Sequence, residues 1–291
     1  MNEESLMRSR IRKILMICSN YDAFALEEDG RIENQVKNEY RELNLSNPPK
    51  FIWANSSAQA RDIIGSEEDI DMIICMYNEQ DKEIFPFASR LKDEGRGIPF
   101  ILLIHYSKAV RQRVLESPHP GVDFVFSWHG NADLILAIVK LLEDAANAEN
   151  DVFEVGVKGI LLVEDSIRYY SNYLPELYKI VLTQSREFLT ESLNDDQKKY
   201  RKRSRPKIFL ATCLEEAIAY FEKYRRNLLG VISDVGMVFH KGDDPKTEKL
   251  DAGIDLVRII REYDPLMPVL LQSSQGSLAK TAAELGVGFL K

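Results

Sequence analysis

Short, wholly apolar runs alternate along this chain with stretches whose apolar positions recur every three or four residues. That mixture is expected of buried parallel strands joined by amphipathic helices. In the first half the runs predict strands at Lys13–Cys18, Lys50–Ala54, Met72–Met76, Pro99–His105 and Val122–Ser127, with a closing helix over Asn131–Ala146. In the second half Gly159–Val163, Leu228–Asp234, Pro268–Ser274 and Gly286–Lys291 read as strands separated by helical patterns. Ile167, Tyr170, Leu174, Leu177, Tyr178, Val181 and Leu182 fall at helical spacing, and the pattern continues more weakly through Phe188, Leu189 and Leu193. They predict a long first helix whose stripe either projects as a dimerisation surface or folds back on the chain itself.

A chain of 291 residues has room for two domains. The segment Asn147–Lys158 has no clear period and a polar start, so the boundary is placed there, giving domains at 12–147 and 158–291. Both repeat one strand–helix alternation. The fold class is therefore α/β, two flavodoxin-like (βα)5 doubly wound parallel-sheet domains in tandem, the second lacking its last helix. Because a parallel sheet needs both faces covered, the chain reads as the N-terminal part of something longer.

The apolar run Gly159-Ile-Leu-Leu-Val163 stops abruptly in two adjacent carboxylates, Glu164 and Asp165. A second run ends in Asp234, and a third ends in the hydroxyls of Ser273 and Ser274. In an open parallel sheet ligands bind outside the carboxyl ends of the strands, so Glu164, Asp165, Asp234 and Ser273 are expected in one crevice. Two carboxylates about 5 Å apart at an effective dielectric near 20 repel by roughly 3 kcal/mol. A divalent cation removes that repulsion, and an oxygen-only set on a shallow rim suits Mg²⁺.

On these residues, 159–291 resembles the receiver domain of a bacterial two-component response regulator. The resemblance implies that Glu164 and Asp165 are the acidic metal pair, with Gly236 completing the metal set beside Asp234. It implies that Asp234 is the phosphorylated aspartate, Ser273 the switch hydroxyl, and Lys291 the lysine that pairs with the phosphoryl group. The register after Phe289 asks for that lysine one position later. Laid on the second copy, the first puts Cys18 and Ser19 at the acidic pair, Met76 at Asp234, Ile104 at Ser273 and Trp128 near the lysine. It resembles a pseudo-receiver, acting by contact. Across the whole chain the strand-one sequences Ile14–Asp22 and Val163–Ser171, the stretch Leu26–Arg31, and Leu229–Val235 resemble the N-terminal regulatory segment of phosphoenolpyruvate synthase-like proteins of the pyruvate, phosphate dikinase family.

The expected function is thus Mg²⁺-dependent phosphorylation of Asp234 by a histidine kinase or phosphotransfer protein, switching a downstream effector. The chain would be a phosphoacceptor rather than an enzyme. The alternative is a non-phosphorylated scaffold that dimerises through its long helix. A phosphatase with an aspartate nucleophile would need an Asp-x-Asp arrangement after strand one, which Glu164-Asp-Ser-Ile167 does not provide.

Composition narrows this further. A formal charge of −8 argues against nucleic acid as the main partner. The charged start and the lack of a membrane-length apolar run point to a cytoplasmic protein with no membrane partner. Cys18, Cys75 and Cys213 have no metal-ligand spacing and read as buried reduced thiols, and His105, His119, His129 and His240 share no spacing, which argues against phosphohistidine or metal roles. The acids within Tyr21–Gly30 read as a solvated helix start, and the basic run Lys198–Lys207 as a solvated helix end. The long loop Val235–Ala252 beside Asp234 reads as a plain solvated insertion, with a lid over the site as the alternative.

Overall fold

The computed structural model describes residues 6–19, 31–42, 47–66, 69–105, 110, 114, 120–130, 132–190 and 204–291. The Tyr21–Gly30 acids, Leu193 and Lys198–Arg203 lie outside the described residues. The chain divides into two compact units. One comprises Arg10–Val139 with Ser171–Pro175, and the other comprises the residues through Ser9, Lys140–Tyr170 and Glu176–Lys291.

In the first unit β1 (Lys13–Ile17), β2 (Lys50–Ala54), β3 (Met72–Met76), β4 (Phe100–His105) and β5 (Phe124–Trp128) pair in parallel in the order β2-β1-β3-β4-β5. Helices α1 (Arg31–Glu42), α2 (Ser57–Ser66), α3 (Ile84–Asp93) and the first half of α4 (Ala132–Ala148) belong to this unit. Every residue of β3 is buried, which is why the central strands read as unbroken apolar runs rather than alternating ones. At the start of α2, Ser57 donates both its N–H (2.9 Å) and its hydroxyl (2.7 Å) to Asp81 Oδ2, so a carboxylate from the next loop satisfies an orphan helix-end donor.

The second unit repeats the order. Strands β6 (Gly159–Val163), β7 (Lys207–Ala211), β8 (Leu228–Asp234), β9 (Val269–Gln272) and β10 (Gly288–Leu290) form a parallel sheet in the order β7-β6-β8-β9-β10. Its helices are α5 (Ile167–Thr190), apart from Ser171–Pro175, which group with the first unit, α6 (Leu214–Tyr224), α7 (Ala252–Tyr263) and α8 (Leu278–Glu284), and among the described residues none follows β10. The fold class is as expected from the sequence.

Helix α6 shows why the chain turns where it does. Cys213 caps it from an extended conformation by accepting from Glu216 N–H, while Glu216 reaches back to accept from Thr212 N–H at 2.8 Å, two orphan donors satisfied reciprocally. Its buried residues Leu214, Ala217, Phe221 and Tyr224 share one face and pack with Leu161, Val231 and Val269 of the sheet. Helix α5, about 36 Å long at 1.5 Å per residue, buries Ile167, Tyr170, Leu174, Tyr178, Val181 and Leu182. Leu177 of the predicted stripe is only partly buried.

One sequence expectation is corrected here. Two members of the basic run Lys198–Lys207 are not solvated: Arg205 and Lys207 are buried in a network of charges within the second unit. Asp144, fully buried on α4, accepts from Arg205 Nη1 (2.9 Å) and Nη2 (2.8 Å), from Tyr178 Oη (2.9 Å) and from Ile208 N–H (3.0 Å). Lys207 Nζ lies 2.6 Å from Asp151 Oδ2, and Asp151 also accepts from Met7 N–H at 3.3 Å. The run looked like a solvated helix end because its acidic partners stand some sixty residues earlier, beyond any local pattern.

Candidate functional site

The site lies where the connections of the second sheet change direction, between β6 and β8, the place where a doubly wound sheet leaves a crevice at its carboxyl edge. Val163 is paired with Ser233, so the next residues on the two strands, Glu164 and Asp234, emerge side by side on the same face. Asp234 is in turn paired with Gln272 across β8 and β9. Carboxylate, carboxylate and amide thus stand in a row along the rim.

Oxygens of Glu164, Asp165 and Asp234 lie within 4.8 Å of one another. Among the described residues this is the one group of three or more side chains able to share a metal ion. Glu164 is 1% exposed, and its Oε1 accepts from Ser166 N–H (3.0 Å) while its Oε2 accepts from Gln272 Nε2 (2.9 Å). Asp165 is half-buried and accepts from Val238 N–H at 3.3 Å. Asp234 Oδ1 accepts from Val235 N–H at 2.7 Å.

Burial and neighbouring acids dominate the electrostatics of Glu164 and Asp234. Burial, with the neighbouring charge of Asp234 next, pushes the Glu164 carboxyl up to about 8, against the hydrogen bonds from Ser166 and Gln272. Asp234 is pushed up to about 6, first by burial and further by the charges of Asp165 and Glu248, while the N–H groups of Val235 and Gly236 pull the other way. Either a proton or a cation relieves such a site.

The remaining expected residues take less direct positions. Gly236 lies two residues beyond Asp234 under the Glu248 carboxylate, whose Oε1 stands 2.1 Å from where a Cβ on Gly236 would be. Ser273 follows β9 directly; its N–H donates to Leu290 O (3.1 Å) and its Oγ accepts from Gln275 N–H (3.2 Å). Lys291 is exposed, its side chain running along Gly276 in the loop after Ser273. The loop Val235–Ala252 is anchored at its base. Met237 and Lys249 form an antiparallel bridge (3.2 and 3.0 Å), Leu214 N–H donates to Val238 O (3.0 Å), and Val235 and Met237 are buried.

Strand register allows the two units to be compared position by position. Met76 is paired with Leu103 as Asp234 is with Gln272, so Cys18, Ser19, Met76 and Leu103 occupy the places of Glu164, Asp165, Asp234 and Gln272. The first unit carries no acid at any of the four. Its thiols Cys18 and Cys75 are buried, as is Cys213 in the second unit.

Sequence reasoning missed two residues of the site, Gln272 and Glu248. For Gln272 a signal existed, an amide inside the apolar run Val269-Leu-Leu-Gln272 where the first copy reads leucine. Glu248 had none, because only the Met237–Lys249 bridge brings it back over Gly236.

No family model matches the chain, and no curated protein matches it. Among solved structures it is similar to a probable two-component system response regulator/GGDEF domain protein, at 18% identity and a TM-score of 0.36 over 96% of this chain and 91% of that one. A putative protein of the same description matches at 17% and 0.36 over the same shares. The ABC domain in complex with L-Trp from Streptococcus pneumonia follows at 11% and 0.24, over 90% of this chain and 74% of that one. At such low TM-scores and identities these likenesses carry no argument about this chain. No helix among the described residues is long and apolar enough to cross a membrane.

Proposed function

We propose that the second unit is a phosphoacceptor switch of the response-regulator type, in which Glu164, Asp165 and Asp234 hold Mg²⁺ and Asp234 accepts a phosphoryl group. The observation that carries this reading is the convergence of the three carboxylates, within 4.8 Å, on the carboxyl edge of a doubly wound sheet. The donor set fits the ion, since it offers only hard oxygens on an open rim and Glu164 and Asp234 are both held above the ordinary carboxylate range. Bound there, Mg²⁺ would offset the negative charge that otherwise repels an anionic phosphoryl donor.

The rest of the chemistry belongs to the chain. With its pKa near 6, Asp234 is mostly ionised at neutral pH and has a lone pair to offer. One of its oxygens attacks phosphorus while the P–N bond of a phosphohistidine donor breaks, and the leaving imidazole takes its proton from solvent. Glu164, pushed up to about 8 in the cation-free chain, would give up its proton as its carboxylate takes a place in the cation's ligand set. Ser273, on the strand beside Asp234, is the hydroxyl that would donate to a phosphoryl oxygen, and Lys291 the cation that would swing along the rim to pair with it.

The donor would be a histidine kinase or phosphotransfer protein, and the target a downstream effector, by sequence resemblance a dikinase-type catalytic module. The first unit, with Met76 at the acceptor position, would act by contact alone. The test is to incubate the full chain with Mg²⁺ and a small acyl phosphate, measuring intact mass, or with beryllofluoride, measuring spectroscopic change. One phosphoryl adduct is expected, lost on chelation and absent from Asp234→Asn. A wild-type chain that gains no mass and gives no Mg²⁺-dependent response overturns the reading.

A further inference from the structure

We infer that Gln272 is a positioning residue for the cation site, holding Glu164 in its ligating orientation and thereby setting the affinity for a divalent cation; this rests on the cation-site reading above. Gln272 Nε2 donates to Glu164 Oε2 at 2.9 Å, and both side chains are buried, at 9% and 1% exposed. Glu164 Oε1 is held on its other side by Ser166 N–H. With a donor on each oxygen the carboxylate plane is fixed, and each oxygen keeps a second acceptor site for another ligand.

The first unit supplies an internal control. Its residue at the same register is Leu103, 1% exposed, and the residue at the place of Glu164 is Cys18. The slot is therefore one that the fold fills with a leucine when no acid stands beside it. A buried amide costs free energy unless it is hydrogen-bonded, so its presence on β9 calls for the one partner that the second unit adds, the Glu164 carboxylate. Asp234 and Gln272 are also directly paired across the strands, and Ser273 follows immediately, so the amide ties the acidic cluster to the strand that carries the switch hydroxyl. Groups that orient a ligating carboxylate from behind commonly set metal affinity without touching the metal.

The experiment is a titration of the full metal-free chain with Mg²⁺ and with Mn²⁺ by calorimetry, for wild type, Gln272→Leu, Glu164→Ala and the double variant. Leucine is chosen because the first unit accommodates it at this register, and Gln272→Met serves as a second variant should the branched side chain fold poorly. Gln272→Leu should bind either ion roughly 10- to 100-fold more weakly, with little change in the unfolding midpoint of the metal-free chain. In the Glu164→Ala background the same substitution should cost no further affinity. Wild-type affinity in Gln272→Leu, or a loss that adds in full to that of Glu164→Ala, overturns the inference alone. A wild-type chain that binds neither ion overturns the cation-site reading and this inference with it.

Discussion

Asp144→Ala should be among the most destabilising single substitutions in the second unit, and its magnitude follows from what it leaves behind. Asp144 accepts four hydrogen bonds, two of them a fork from Arg205, whose side chain is 2% exposed beside a carboxylate that is wholly buried. Removing one partner of a buried pair costs about 3–5 kcal/mol because an uncompensated charge remains. The stranded Tyr178 hydroxyl and Ile208 N–H place the expected loss at the upper end of that range, and at roughly 2–4 °C per kcal/mol for a unit of this size the midpoint should fall by about 10–20 °C. Both tryptophans, Trp53 and Trp128, lie in the first unit, so their fluorescence does not report directly on β7. Hydrogen exchange of β7, read peptide by peptide in urea, does. Pairing Asp144→Leu with Arg205→Met should recover most of the loss, since an apolar replacement of a buried ion pair is often neutral. A loss below about 1 kcal/mol for Asp144→Ala, or a double variant no better than the single, would refute the reasoning.

Three further outcomes follow. Glu164 has a folded-state pKa above its ordinary value, so the metal-free chain gains stability from it below about pH 4.5 and loses that gain as pH rises toward 8. Chemical denaturation from pH 5 to 8 should show the decline, Mg²⁺ should offset it increasingly toward pH 8, and Glu164→Gln should flatten it. Gly236→Ala must drive the Glu248 carboxylate aside, since the new Cβ would stand 2.1 Å from its oxygen; divalent-cation affinity should change while the midpoint of the metal-free chain moves by less than about 1 kcal/mol, as calorimetry and melting will tell. Gly253→Ala is harsher, because its Cβ would meet the backbone oxygen of Asp234 at 2.2 Å where α7 closes on the end of β8. It should lower both stability, by about 1–3 kcal/mol, and cation affinity together.

How much could be read from the sequence differed by the range of the interaction. Strands buried on both faces leave unbroken apolar runs such as β3, and β2, β3, β6 and β8 were legible to the residue, β1, β4, β5, β9 and β10 to within two, while β7, which begins at the end of the basic run, was not read at all. Glu164, Asp165 and Asp234 were legible because abrupt acids at strand ends are a local signal that sheet order then gathers. Arg205 and Lys207 were misread because a local charge run does not reveal Asp144 and Asp151 on another element. Gln272 was overlooked as one polar residue in an apolar strand, although setting it beside Leu103 exposes it. Glu248 depends on a backbone bridge across an irregular loop, which no periodicity announces.

The membership of α4 bears on how the gene can be divided. A shortened chain beginning at Lys158, where composition invites the scissors, would keep Arg205 and Lys207 but discard both Asp144 and Asp151, their anions. Such a fragment would carry two entombed cations and should collapse or aggregate for reasons unrelated to phosphate or magnesium. A transplantable cassette has to begin no later than Lys140, where the second unit's share of that helix starts.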